Sequence, residues 1–374
     1  MKMLSRLALP FRLAAAISSV AVFAAAVSLK AQENPEDHVV IRISSNENAF
    51  GFSDKAKERM MDRLKNGNYY NHDEADVLAG MLAAKYGVQK DYIVTTAGSG
   101  PVLLMTAAAY GKPGINMVTA DPGYPQLTNT FANFGGSVKY VPTNAKLGYD
   151  FVALSKAIDD KTTLVYICNP NNPTGVLADP SELRKFVLSV PPNILVFVDE
   201  AYLELSDSAF EINTMTSLVK VRKNLIVAHT FSKAYALAGF RVGYGVGHPE
   251  TLAKIKLYYQ GPPSFLAAIA AQESLKDKEH LEANRKKYHD VRQMVCKEFE
   301  RLGLKYSEPQ GAFIFFKTGI PAPEFQKKMR ALNIMVTQPF GPAEGFADWA
   351  RVSIGTQEEM EIFIGALHKV LNKT

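Results

Sequence analysis

The 374-residue chain has only two cysteines, Cys168 and Cys296. Two thiols cannot build the disulfide framework on which small secreted folds rely. No Cys/His cluster has the spacing of a zinc site. No basic stripe with interleaved aromatics occurs, so nothing in the sequence argues for nucleic acid. Internal repeats and low-complexity tracts are absent. The apolar run at 13–27 is short for a membrane. As a helix it would rise about 22 Å, against about 30 Å for a bilayer core.

The net charge of +5 belongs mostly to one end. Lys2, Arg6, Arg12 and Lys30 lie in the first 31 residues, which hold no acid. Without them 38 Lys and Arg face 37 Asp and Glu, a balance of +1. A basic start, a short apolar run and small residues up to Ala31 read as an export signal over 1–31. The chain is then expected in the periplasm or outside the cell, and in the cytoplasm if the signal is not used. An uncleaved anchor and an organellar transit peptide are the rival readings. No cysteine follows the run and no twin-arginine pair precedes it, which excludes a lipoprotein and a twin-arginine signal.

The rest has the composition of a globular protein, 47% hydrophobic and 21% charged. Spacing predicts a helix over 75–86. Short β-branched runs predict strands at 92–95, 116–120, 164–167, 194–198, 225–228 and 241–246. Helical spacing between them gives the βαβ pattern of a mostly parallel sheet covered on both faces. After Gly261-Pro262-Pro263 the texture changes. A charged helix is expected over 264–301, then a strand at 312–316, a helix at 322–332, a strand at 351–354 and a final helix. The expected organisation is an arm at 32–70, a large domain at 71–255 and a smaller α+β domain at 256–374. Residues 39–44 are expected to join the small domain or to cross to a partner.

In open α/β sheets ligands gather at the carboxyl ends of the strands. Four such ends carry chemistry here. Ala97-Gly98-Ser99-Gly100-Pro101 opens an expected helix, and its free N–H groups favour phosphate. Asn169 to Gly175 is a proline-braced polar turn able to aim an amide. Asp199 ends an apolar run, where an unpaired carboxylate is costly and a cationic partner is wanted; a helix N-cap is the plainer reading. Lys233, after another buried run, is placed to be desolvated and activated for Schiff-base chemistry. Ser232 and Arg241 beside it offer donors to a phosphate dianion. Each motif alone is more often an ordinary turn, cap or surface lysine.

Their joint order resembles the aminotransferase class I/II family, the pyridoxal-phosphate (PLP) enzymes of fold type I. Within it the resemblance is nearest to histidinol-phosphate aminotransferases. It is carried by NENAFG (46–51), NNPTG (171–175), VDEAYLEL (198–205), TFSKAYALAGFRVGY (230–244) and RVSIGT (351–356). It implies an α/β fold with a mostly parallel seven-stranded sheet between helices and a smaller α+β C-terminal domain. It implies PLP as cofactor, amino-acid and oxo-acid substrates, and a homodimer. By position, Lys233 would bear the cofactor and move the α-proton, and Asp199 would face the ring nitrogen. Asn172 and Tyr202 would hold the ring's phenolic oxygen, with Tyr124 stacked on the ring. Ser99, Gly100, Ser232 and Arg241 would hold the phosphate, and Tyr70 would reach that of the neighbouring subunit. Arg351 and Asn48 would bind substrate.

The sequence departs from its relatives at Phe50, where they usually carry tyrosine, and at Ala49, where they usually carry proline. Phe50 removes a hydroxyl from the region that receives a substrate phosphate. A PLP lyase or decarboxylase on the same scaffold, and a non-catalytic binding protein, are the alternative readings.

Overall fold

A computed structural model describes residues 40–71, 73–337 and 345–372. The expected export signal lies outside them. Among the described residues no helix is long and apolar enough to cross a membrane.

The described chain opens with a two-residue strand, β1 (Ile41–Arg42). Seven further strands then form one sheet: β2 (Ile93–Thr96), β3 (Asn116–Asp121), β4 (Ser137–Pro142), β5 (Thr162–Cys168), β6 (Leu195–Asp199), β7 (Leu225–Thr230) and β8 (Gly243–Gly247). Their order is β2-β8-β7-β6-β5-β3-β4. β8 runs antiparallel to both neighbours, and the other pairs are parallel. The central strands β6 and β7 are buried along their whole length. Each buried Val, Leu or Ile there contributes roughly 1.5–3 kcal/mol, so polar residues are driven to the strand ends. β4, for which the sequence pattern offers no strand, is one of the two edges, with Lys139 and Tyr140 partly exposed.

Two expected boundaries shift, for local reasons. The strand expected from 241 starts at Gly243, because Arg241 takes a left-handed backbone with φ of 58°. The helix expected over 264–301 is two helices, Phe265–Lys276 and Lys278–Arg301, broken at Asp277. Asp277 accepts from Ser53 Oγ at 2.6 Å and from Lys55 Nζ at 3.0 Å, so the break is pinned from outside. The final helix, Gln357–Leu371, begins with a capping box between Thr356 and Glu359.

The C-terminal part adds β9 (Phe313–Lys317), β10 (Ile334–Met335) and β11 (Trp349–Ser353). β11 pairs antiparallel with β9, and β1 pairs parallel with β10. The segment after β1 stays on this sheet. Met335 O receives Ile43 N–H and Ile43 O receives Ser353 N–H. The same segment then reaches the carboxyl ends of β5, β6 and β7, where the cavity lies.

Candidate active site

A cavity of about 660 Å³ opens at those strand ends. It gathers Ser99, Gly100, Tyr124, Asn172, Asp199, Tyr202, Ser232, Lys233, Arg241 and Arg351, which the sequence offers from six separate stretches. Asp199 ends β6, Gly100 opens the helix that follows β2, Arg351 lies in β11, and the others come from turns after strands of the large sheet.

Asp199 forms the floor, at 2% exposure. Its Oδ1 accepts Ala201 N–H at 3.2 Å and its Oδ2 accepts the Tyr166 hydroxyl at 3.4 Å. Burial pushes its carboxyl up to about 6, against the pull of those two bonds. Neither donor is charged, so a cationic group above it would be well matched.

Lys233 lies opposite. Burial lowers its ammonium to about 8, helped by Arg351 and Arg241 and opposed by Glu47. Its Nζ donates to Asn46 O at 3.0 Å and Ser45 O at 3.2 Å. A lysine near 8 is deprotonated often enough near neutrality to act as nucleophile or base.

Arg351, 3% exposed, donates to Asn172 Oδ1 and to Ser44 O, both at 2.6 Å. Tyr202 receives its hydroxyl's bonds from Asn46 Nδ2 at 3.0 Å and Asn172 Nδ2 at 3.4 Å. Arg241 donates to Ser232 Oγ at 3.4 Å and to Ala238 O at 3.0 Å. Gly98 has φ of 87°, and a Cβ there would run into the Arg241 guanidinium. That glycine therefore serves a close approach of backbone and cation beside Ser99 and Gly100, at the start of helix Gly100–Tyr110. The result is a cradle of donors for an anion.

Two expected residues lie elsewhere. Asn48 does not line the cavity. Its Nδ2 donates to Lys233 O at 2.9 Å and Ala234 O at 3.2 Å, and its Oδ1 accepts Phe50 N–H at 2.9 Å. With both amide ends used on the main chain, it braces the lysine turn and is not placed to bind substrate. Tyr70 is 92% exposed and outside the lining of this cavity. Phe50 also stays outside it, packed edge-on against Tyr288 at 5.1 Å. Among the lining residues not anticipated are Asn46, Glu47 and Gln126. Asn46 carried a signal, since its left-handed φ of 54° is one that asparagine favours.

Behind the sheet lies a second polar group, closed off by protein. Glu200 Oε2 accepts the Thr214 hydroxyl and Oε1 accepts Met215 N–H, each at 2.7 Å. His229 Nε2 is 3.3 Å from Glu200, and Nδ1 is 3.8 Å from Glu204. The imidazole stacks on Tyr244 at 5.1 Å and on Tyr86 at 5.8 Å. Burial raises Glu200 to about 8 and Glu204 to about 7, the latter opposed by Lys85, and lowers His229 well below its ordinary value.

The cavity's chemistry suits PLP. An amine and a buried carboxylate share its lining, a donor cradle can take a phosphate, and Tyr124 adds an aromatic ring. The chain matches the family model for aminotransferase class I and II over residues 38–367. A histidinol-phosphate aminotransferase of Moorella thermoacetica is 34% identical over 333 residues, 89% of this chain and 86% of that protein. Histidinol-phosphate aminotransferase 2 of Pseudomonas fluorescens is 33% identical over 336 residues, 89% of each chain. Among solved structures, histidinol-phosphate aminotransferase from Sinorhizobium meliloti in complex with pyridoxal-5'-phosphate superposes with a TM-score of 0.81 at 26% identity. That match covers 89% of this chain and 91% of the other. This chain belongs to the aminotransferase class I and II family and is a PLP-dependent transaminase of fold type I.

Proposed function

We propose that this transaminase moves an amino group between histidinol phosphate, or an amino acid, and a 2-oxo acid. The observation that carries the reading is the meeting of Lys233, Asp199 and Arg351 in one cavity. Relatives that align with nearly nine-tenths of the chain bear the histidinol-phosphate name.

When bound, PLP supplies the electron sink for chemistry at the amino-acid α-carbon. The chain's residues do the rest. Lys233 would hold the cofactor, and its Nζ, lowered to about 8, would move the α-proton. Asp199 would keep a proton on the ring nitrogen. Asn172 and Tyr202 would orient the phenolic oxygen, and Tyr124 would cover a ring face. Ser99, Gly100, Ser232 and Arg241 would hold the phosphate. Arg351 would take the substrate's carboxylate or phosphate through a forked pair.

The test is alanine formation from pyruvate with histidinol phosphate as donor, in the PLP-loaded protein. The unchanged chain is expected to turn over, and Lys233→Ala to lose at least roughly 10³-fold. Full turnover by Lys233→Ala would sink the assignment of that residue. Turnover with common amino acids but none with histidinol phosphate would remove that substrate and leave the lysine's role standing.

The working unit in this reading is a homodimer, with Tyr70 reaching the phosphate of the neighbouring subunit's cofactor. Tyr70 and Tyr69, at 92% and 66% exposure, present adjacent rings to the outside, and aromatics are enriched at interfaces. Sedimentation should give the mass of two chains, with Tyr70→Phe retaining PLP less well. A monomer with full PLP retention would refute it.

A further inference from the structure

We propose that Glu47 selects the distal group of the substrate, favouring a cationic or hydrogen-donating end over an anionic one. The inference rests on Arg351 taking the substrate's acidic group, as in the reading above.

Five charged side chains line the cavity: Glu47, Asp199, Lys233, Arg241 and Arg351. Four of them serve the cofactor or the substrate's acidic end. Glu47 has no such task. Unlike Asp199, which is 2% exposed on the floor, its side chain is 47% exposed, at the solvent side of the wall.

Its position follows from the segment that bears it. Ser44 O holds Arg351, and Ser45 O and Asn46 O hold Lys233. The segment therefore runs beside both groups that grip the reacting end of a substrate. Glu47 is the next residue along it. The main chain beneath it is fixed on two sides. Asn46 N–H donates to Ser353 Oγ at 2.8 Å, and Glu47 O accepts the Tyr288 hydroxyl at 3.4 Å. The carboxylate is close enough to Lys233 to oppose the fall in that group's proton affinity. So its field reaches the reacting centre.

Arg42 does not quench this charge. It lies 3.6 Å away with its side chain 64% exposed. A solvated pair of this kind contributes little and leaves the carboxylate able to meet another cation. Gln126, also in the lining, brings no net charge. Phe50 packs on Tyr288 outside the cavity, so the departure there does not decide what the distal group meets. A second carboxylate or phosphate on the substrate would face Glu47 at close quarters. A guanidinium, ammonium or imidazolium would face an acceptor.

The experiment uses the PLP-loaded protein and two ligands without an amine. 4-Guanidinobutanoate and glutarate share a carboxylate and three methylenes and differ in the planar group at the far end. Their dissociation constants are measured by titration calorimetry. The unchanged protein is expected to prefer 4-guanidinobutanoate. Glu47→Gln should cut that preference about tenfold, the size of one charge pair in a partly solvated mouth. Glu47→Lys should reverse it, and high salt should shrink it in the unchanged protein. A ratio that neither substitution moves would overturn the proposal. Arg351→Gln separates this from the reading beneath it. If that change leaves both affinities untouched, the carboxylate assignment fails and the proposal falls with it.

Discussion

Asp199 and Glu200 are consecutive, both buried and both carboxylic acids, yet they face opposite sides of the same sheet. Asp199 opens on a cavity and accepts one amide at 3.2 Å and one hydroxyl at 3.4 Å. Glu200 is enclosed and accepts one hydroxyl and one amide, both at 2.7 Å, with His229 next to it. Burial raises both, to about 6 and about 8. The difference lies in what satisfies them. Glu200 is completed by its own protein, so it belongs to the fold. Asp199 has short measure from the protein and looks out on the cavity. A buried acid is a sign of function when its complement is missing on one side, and a sign of structure when the complement is already there.

The contrast can be broken by changing each acid in turn. Asp199→Ala should lose roughly 10²–10⁴-fold in turnover while the melting temperature stays or rises, because a desolvated acid with neutral partners is removed. Glu200→Ala should do the reverse. It strands the Thr214 hydroxyl and Met215 N–H, at about 2–4 kcal/mol, and leaves turnover of the folded fraction within a few fold. Thermal melts and rates measured on both variants decide the matter. Equal melting temperatures would dissolve the distinction.

A smaller effect sharpens it. Glu200 and Glu204 hold protons up to about 8 and about 7, whereas the ordinary value is 4.5. The folded chain then binds more protons than the unfolded one between these values, and its stability falls as pH rises. That contribution is complete below about 4.5 and is lost by the time pH has passed 8. The urea midpoint should decline from pH 5 to 8, and Glu200→Gln should flatten the upper part of the slope. An unaltered slope in that variant would show that the rear acids do not set it.

Much of the cavity was legible because strand ends are legible. Apolar runs mark β5, β6 and β7, and the polar residues that follow each run are where a parallel sheet collects ligands. Lys233, Asp199 and Asn172 are found that way. The wall made by Ser44–Glu47 was not, since its contacts span long separations. Asn46 meets Tyr202 across 156 positions and Arg351 meets Asn172 across 179. No local period encodes such a meeting. Asn48 misled for a related reason. An asparagine beside a site can serve the backbone as readily as a ligand, and only the direction of its amide tells which. The rear cluster was invisible because its members look like ordinary strand-end residues until Tyr86, from a distant helix, stacks on His229.

The two cations proposed to hold cofactor and substrate are already engaged. Lys233 and Arg351 give their protons to the carbonyls of Ser44, Ser45 and Asn46. Binding is therefore an exchange of partners rather than an addition of contacts. An arriving acid has to displace a stretch of main chain that competes for the same donors. That makes the resting site a sieve in time. Weak or badly shaped acids lose the competition, and without an acid the Arg351 guanidinium keeps the Ser44 carbonyl as its partner.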